Sequence, residues 1–214
     1  MAKTSPRRMG PVNSATWSLL LDGAENILKE EGYASLTSRR IAERVGIKQQ
    51  LTYYYFRTMD ELMVEAFRRL SKRELARLET ALSSDRPLHE FWSVCSNTSD
   101  ARLISEFMAL AHRSEGVKNE VVDFIERSRR LQTRAIAKSI KSPRKKTGIA
   151  ALPPVAITFL TTSIALALTR ESALGITTAH REIDDLVKRC LSALEPPGPR
   201  RPVVKTRRTN QGIK

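Results

Sequence analysis

Side chains able to read a duplex are gathered between positions 37 and 58. Gln49 and Gln50 each carry a carboxamide that pairs with an adenine edge, or with other bases through water. Lys48 just before them can reach guanine or phosphate, and Thr37, Arg39 and Arg40 suit backbone phosphates, which position a protein without reading sequence. Leu51 is apolar where a surface helix is usually polar, and contact with a thymine methyl would give it a reason. Chemistry of other kinds has little to stand on. His89, His112 and His180 are too scattered for a local metal motif, and Cys95 and Cys190 have no partner at ligand spacing. Glycine-rich phosphate loops, nucleophile elbows and zinc-protease signatures are missing. The expectation is a non-enzyme with no cofactor and no metal.

Presenting those side chains requires helices. Trp17, Leu20, Leu21, Ala24, Ile27 and Leu28 recur at helical spacing, predicting a helix over about 15–31 that stops at Gly32. Thr37 caps a short helix over about 38–45, with Ile41, Ala42 and Val45 inward. Gly46 breaks it, Ile47 sits in the turn, and a second short helix follows over about 48–55. Thr58, with Asp60 and Glu61 behind it, caps a long helix over about 59–82. Two short helices joined by a tight turn with glycine at its start make a helix-turn-helix, although helical proteins of other functions also contain such corners.

Composition sets wider bounds. The 214 residues are 41% hydrophobic and 28% charged, enough to bury a core, and nine glycines with ten prolines fit helices better than sheets. Thirty-seven basic against 23 acidic residues leave +14, which favours a polyanionic partner, nucleic acid before membrane. Residues 1–14 hold Lys3, Arg7 and Arg8 and no acid; residues 196–214 hold Arg200, Arg201, Lys205, Arg207, Arg208 and Lys214 and no acid. Both read as flexible basic arms, serving either solubility or phosphate binding. The most apolar stretch, 155–168, is too short and too threonine-rich to cross a bilayer. Two cysteines 95 residues apart make no disulfide framework, so a cytoplasmic, nucleoid-associated location is expected. A secreted mini-protein, a collagen and a transmembrane receptor are excluded.

Leu36-Thr37-Ser38-Arg39-Arg40-Ile41-Ala42-Glu43-Arg44-Val45-Gly46-Ile47, then Tyr53-Tyr54-Tyr55-Phe56, then Asp60-Glu61-Leu62, resemble the DNA-binding segment of the TetR (tetracycline-repressor-like) family of transcriptional regulators. The resemblance covers about residues 15–65. It departs from the family at Lys48, where a serine is preferred, and at Leu51-Thr52, which weakens the inward apolar anchor of the third helix. Tyr55 replaces a common histidine, and Met59 a lysine that often approaches phosphate. Tyr53 and Tyr54 resemble family positions that touch phosphates or bases, though a run of aromatics also suits packing of the helical corner. The DNA-binding set so implied is Thr37, Arg39, Arg40, Lys48, Gln49, Gln50, Leu51, Thr52, Tyr53, Tyr54 and Thr58, with Phe56 in the core.

Further helices are expected over about 88–98, 100–113 (capped by Ser99), 117–141, 154–174 and 179–194, with a basic loop at 142–152. The last two resemble the pair through which family members dimerise as a four-helix bundle, with Ile164, Leu168, Ile183, Leu186, Val187 and Leu191 on the apolar face; one more layer of monomer core is the alternative. A ligand cavity is implied by the resemblance, with Phe91, Trp92, Phe107, Met108, His112, Phe124, Phe159 and Thr162 as candidate lining.

The expected architecture is all-α: a three-helix helix-turn-helix DNA-binding domain (15–60) between the arm 1–14 and a larger helical ligand-binding and dimerisation domain (61–195), with the tail 196–214 beyond. The expected function is that of a homodimeric repressor released from a pseudo-palindromic double-stranded DNA operator by a small apolar or amphipathic effector, with no membrane partner. The alternatives are a nonspecific nucleoid-type DNA binder and a ligand-dependent activator of the same fold.

Overall fold

The structure is a computed structural model that describes residues 10–96, 100–140 and 148–195. Residues 1–9 of the expected basic arm 1–14, the Ser99 cap, residues 142–147 of the expected loop 142–152 and the C-terminal tail lie outside the described residues; Gly148–Ala151 of that loop form a 3-10 turn. Nine α-helices and two short 3-10 turns make up the regular structure of the described residues: α1 (Ala15–Glu30), α2 (Ser38–Val45), α3 (Gln49–Tyr55), α4 (Met59–Leu82), α5 (Pro87–Cys95), α6 (Ala101–Leu110), α7 (Glu115–Ile140), α8 (Pro154–Ala173) and α9 (His180–Leu194).

Local chemistry explains the first four. Ser14 accepts a hydrogen bond from Trp17 N at 3.2 Å, Thr37 from Arg40 N at 3.1 Å and Thr58 from Glu61 N at 3.0 Å, satisfying first-turn donors of α1, α2 and α4. Such a cap stabilises a helix by about 1 kcal/mol. Gly46 ends α2 at φ 73°, a left-handed conformation that a side chain would strain. Ile47 N then bonds back to Ala42 O at 3.0 Å, which sets the turn before α3.

Two cores organise the chain. The first joins Trp17, Leu20, Leu21 and Ile27 of α1, Ile41 of α2, Phe56, and Leu62 to Leu70 of α4 to Leu103 and Phe107 of α6 and Val117 and Val121 of α7. It does not stop at the expected boundary near residue 60, because one apolar face of α4 is shared by the three-helix head and by α6 and α7. The second core joins Leu88 and Trp92 of α5, Ile136 of α7, Ile157 and Ala165 of α8, and Val187, Leu191 and Leu194 of α9. Helix α4, about 36 Å long at 1.5 Å per residue, runs from the head past the space between the two cores. The fold is all-α, with an N-terminal helix-turn-helix and a larger helical domain.

His89 Nδ1 lies 3.0 Å from Glu195 Oε2, and its Nε2 3.0 Å from Ser192 Oγ. This superficially resembles a hydrolytic relay, yet Arg86 Nη2 also sits 2.7 Å from the same Nε2 and competes for its lone pair. Glu195 meanwhile accepts from Leu88 N at 3.2 Å, capping α5. The cluster clasps the end of α9 to the start of α5.

Candidate nucleic-acid interface and effector cavity

Helix α3 is braced by one buried hydroxyl. Ser38 on α2 is 6% exposed, and its Oγ accepts from Gln49 Nε2 at 2.9 Å and forms a hydrogen bond with Tyr53 OH at 3.0 Å. Gln49 and Tyr53, one turn apart on α3, are thereby held before any duplex arrives. Gln50 and Lys48 stand exposed beside them, and Leu51 is 36% exposed. Tyr54 is also exposed and packs edge-on against Tyr55, ring centroids 5.2 Å apart.

Thr52 has to be corrected. It is 1% exposed, and its Oγ1 faces the interior with no hydrogen-bond partner, so it takes the inward position that the family fills with an apolar side chain. A residue sealed in the core cannot reach a base. The arginines of α2 are differently engaged. Arg40 binds Glu31 through two nitrogens, at 2.7 and 3.1 Å, and Arg44 reaches both Glu30 and Glu31 at 2.6 Å. The hydrogen bond from Arg40 is the main reason why the Glu31 carboxyl lies below the usual carboxylate range. Arg40 is therefore a brace between α1 and α2, and a phosphate would have to compete with Glu31 for it. Arg39 is exposed and pairs with Glu43 at 2.8 Å. Thr37 and Thr58 accept cap bonds, which leaves each hydroxyl proton free for a phosphate oxygen.

Sequence reasoning missed Ser38, and also Gly10. Gly10 N donates to Tyr54 O at 3.3 Å, and a Cβ at Gly10 would lie 2.4 Å from Tyr55 Cδ1. Only glycine lets the chain approach α3 so closely, and the contact brings the start of the described chain to the end of α3.

Beyond the head, α4 to α8 line a cavity of about 400 Å3 that opens to the surface beside Leu166 and Leu174. Its apolar wall includes Leu78, Ile104, Phe124 and Leu166; polar contributors include Ser128, Gln132, Thr162 and Thr169. Cys95 also borders it, with burial pushing the thiol up to about 12, an unreactive state. Phe124 and Thr162 are in the expected lining. The other six expected residues fall elsewhere. Phe91 and Trp92 are fully buried, with Trp92 Nε1 donating to Asp184 Oδ1 at 2.7 Å. Phe107 stacks edge-on against Phe67 in the first core, and Met108 packs on that core. His112 is exposed, and Phe159 is 57% exposed beneath the Arg129 guanidinium.

The expected dimer face is also redistributed. Val187 and Leu191 are buried in the second core, and Ile164, Leu168 and Ile183 pack against it, leaving Leu186 exposed. The outward apolar side chains of α8 are instead Val155, Phe159 and Leu160, with the half-exposed Leu166 at the open side of the cavity. Helix α8 is apolar on nearly every side, so periodicity gives no phase from which to tell inner from outer face.

Helix α6 joins cavity to head. Asp100, Ala101, Arg102, Ile104 and Ser105 line the cavity. Asp100 pairs with Lys29 of α1, Arg102 Nη2 donates to Glu30 O at 3.3 Å, and Glu106 accepts from Tyr33 N at 3.1 Å. Burial works to raise the Asp100 carboxyl, but the hydrogen bond from Lys29 and the charges of Lys29, Arg73 and Arg77 outweigh it and hold it low. Among the described residues no helix is long and apolar enough to cross a membrane, and no cluster of three His, Cys, Asp or Glu could hold a metal.

Residues 20–66 match the family model described as bacterial regulatory proteins, tetR family. No curated protein matches the sequence. Several solved structures share the fold over most of their length. One, described as a TetR-family transcriptional regulator from Rhodococcus sp., is 16% identical, with TM-score 0.66 over 85% of this chain and 98% of that one. Another, from Mesorhizobium loti MAFF303099, is 14% identical, with TM-score 0.66 over 86% of this chain and 97% of that one. The multidrug binding protein EbrR, solved with imidazole, is 18% identical, with TM-score 0.57 over 88% of this chain and 99% of that one. Over residues 20–66 the chain thus carries the sequence signature of the tetR family of bacterial regulatory proteins, and most of its length adopts the fold of TetR-type transcriptional regulators.

Proposed function

We propose that the chain is a cytoplasmic, sequence-specific DNA-binding regulator that acts as a homodimeric repressor and releases its operator when a small molecule enters the cavity. One observation carries this reading: the first turn of α6 is both a wall of the cavity and the part of the larger domain tied to α1 through Asp100 and Arg102. A ligand that shifts α6 must pull on the helix against which α2, and through it α3, is packed. The shift works by population, favouring a conformer in which two paired heads no longer match two half-sites. A tenfold loss of DNA affinity needs only about 1.4 kcal/mol of coupling. Pairing is assigned to α8 and α9, where the exposed Phe159, Leu160 and Leu186 supply apolar surface.

Footprinting on the DNA flanking the protein's own gene, in competition with random duplex, tests the reading. A regulator prefers its operator by about 10³-fold or more at physiological salt. Equal affinity for random duplex would instead favour the nonspecific, charge-driven alternative that the +14 balance raises. Replacing Gln49, Gln50 and Tyr54 together by Ala should abolish operator binding with helicity intact.

A further inference from the structure

We infer that the effector is an amphipathic anion whose charged group sits at Arg170 and Arg102 and whose far end hydrogen-bonds Gln132. This deepens the reading above and rests on the cavity being its effector site.

The two ends of the cavity differ chemically. Gln132 on α7 is 5% exposed, lines the cavity, and makes no hydrogen bond to any described residue. Among the described residues, the only side-chain polar atoms that are both sealed away and unpartnered are Trp17 Nε1 and Thr52 Oγ1. The Gln132 carboxamide is therefore not sealed off, and as part of the cavity lining it offers a ligand an unengaged donor and acceptor. Thr133 Oγ1 hydrogen-bonds Thr158 Oγ1 at 3.1 Å, which fixes this stretch of α7 beside the N-terminal half of α8. Thr162 lies there too, its hydroxyl donating back to Thr158 O at 2.8 Å and keeping a lone pair for the ligand.

Arg170 is eight residues past Thr162, about 12 Å further along α8. The carboxylates near that end are already engaged elsewhere. Glu74 pairs with Arg77 at 2.9 Å, Asp100 with Lys29 and with Arg73 at 3.6 Å, Glu171 lies 2.9 Å from His180, and Glu106 accepts from Tyr33 N at 3.1 Å. Arg170 has no partner among the described residues, and Arg102 donates only to a backbone carbonyl. Asp100, turned toward Lys29, provides no side-chain cap for α6, so the first-turn amides of that helix add to the positive end. Between the ends, Phe124, Leu166, Ile104 and Leu78 require an apolar body. A cation would meet two uncompensated guanidinium groups.

Calorimetry on the full chain tests this with decanoate bearing a hydroxyl at its far end, plain decanoate, decanol and decyltrimethylammonium. The hydroxylated anion should bind about tenfold tighter than decanol or the ammonium, one charge-assisted contact's worth. Arg170→Gln should cost the anions about fivefold and leave decanol unchanged, as a partly exposed ion pair would. Gln132→Leu should abolish the preference for the hydroxylated chain over plain decanoate. A preference for the ammonium, or an Arg170→Gln effect shared by decanol, would overturn the anion assignment while leaving the cavity an effector site. Binding by no probe would overturn both. DNA release, followed separately by fluorescence anisotropy, keeps the two readings apart: selective anion binding without release sinks effector control and leaves the ligand class standing.

Discussion

Lys29, in the last turn of α1, forms an ion pair with Asp100, at the head of α6 in the cavity wall. Arg73 of α4 lies 3.6 Å from the same aspartate and 3.3 Å from Glu25 of α1, so three helices meet at one carboxylate. Lys29→Met should leave operator affinity within about twofold but shrink effector-induced release by about threefold to tenfold, the usual range for a residue that modulates coupling. Anisotropy titrations of operator DNA with and without the hydroxylated decanoate check this; unchanged release would place the coupling elsewhere.

Ser38 positions Gln49 and Tyr53 while itself buried. Ser38→Ala removes one acceptor and one hydroxyl partner, and should weaken operator binding by roughly fivefold, one net hydrogen bond. Affinity for random duplex should hardly move. Gln50→Ala should instead relax preference at particular base pairs, by about 1–3 kcal/mol at each contacted pair. Binding measured over a set of single-base operator variants separates positioning from reading.

Thr52 buries a hydroxyl that has no partner. Thr52→Val should therefore raise stability by about 1 kcal/mol, because the cost of the unpaired group is removed and the branched shape retained. Denaturant unfolding measures the gain, and operator affinity should stay the same. A folded Thr52→Val protein that no longer bound DNA would return this residue to the interface.

Acid should loosen the contact between α5 and α9. Burial works to raise the Asp184 carboxyl, but hydrogen bonds from Lys188 and from Trp92 Nε1 prevail, and its pKa lies below the usual value. A carboxylate lowered on folding contributes stability that is present above its unfolded pKa of about 3.9 and is lost as pH falls through the lower folded value. Thermal unfolding followed below about pH 4 should show a falling Tm, with a shallower fall in Asp184→Asn.

Much of the architecture is local. Thr37, Gly46 and Thr58 mark helix ends through bonds made within a few residues of themselves, so the helix-turn-helix and the start of α4 can be read from the chain alone. The apolar stripe of α1 likewise points inward wherever its partners lie. Phase is harder. Leu51 and Thr52 are neighbours, and the packing of α3 against the head, rather than hydropathy, buries the threonine and leaves the leucine at the surface. On α8 and α9, packing against α5 and α7 draws Val187 and Leu191 into the monomer core and turns Phe159 and Leu160 outward.

By itself the sequence determined the helices, the Thr37 and Thr58 caps and the glycine turn, because each depends on short-range hydrogen bonding and periodicity. Only the tertiary structure decided which side chains face the cavity, that Gln132 lacks a partner there, and that Asp100 meets Lys29. Those relationships join residues far apart along the chain, and no local pattern encodes a contact that exists only when separate helices pack.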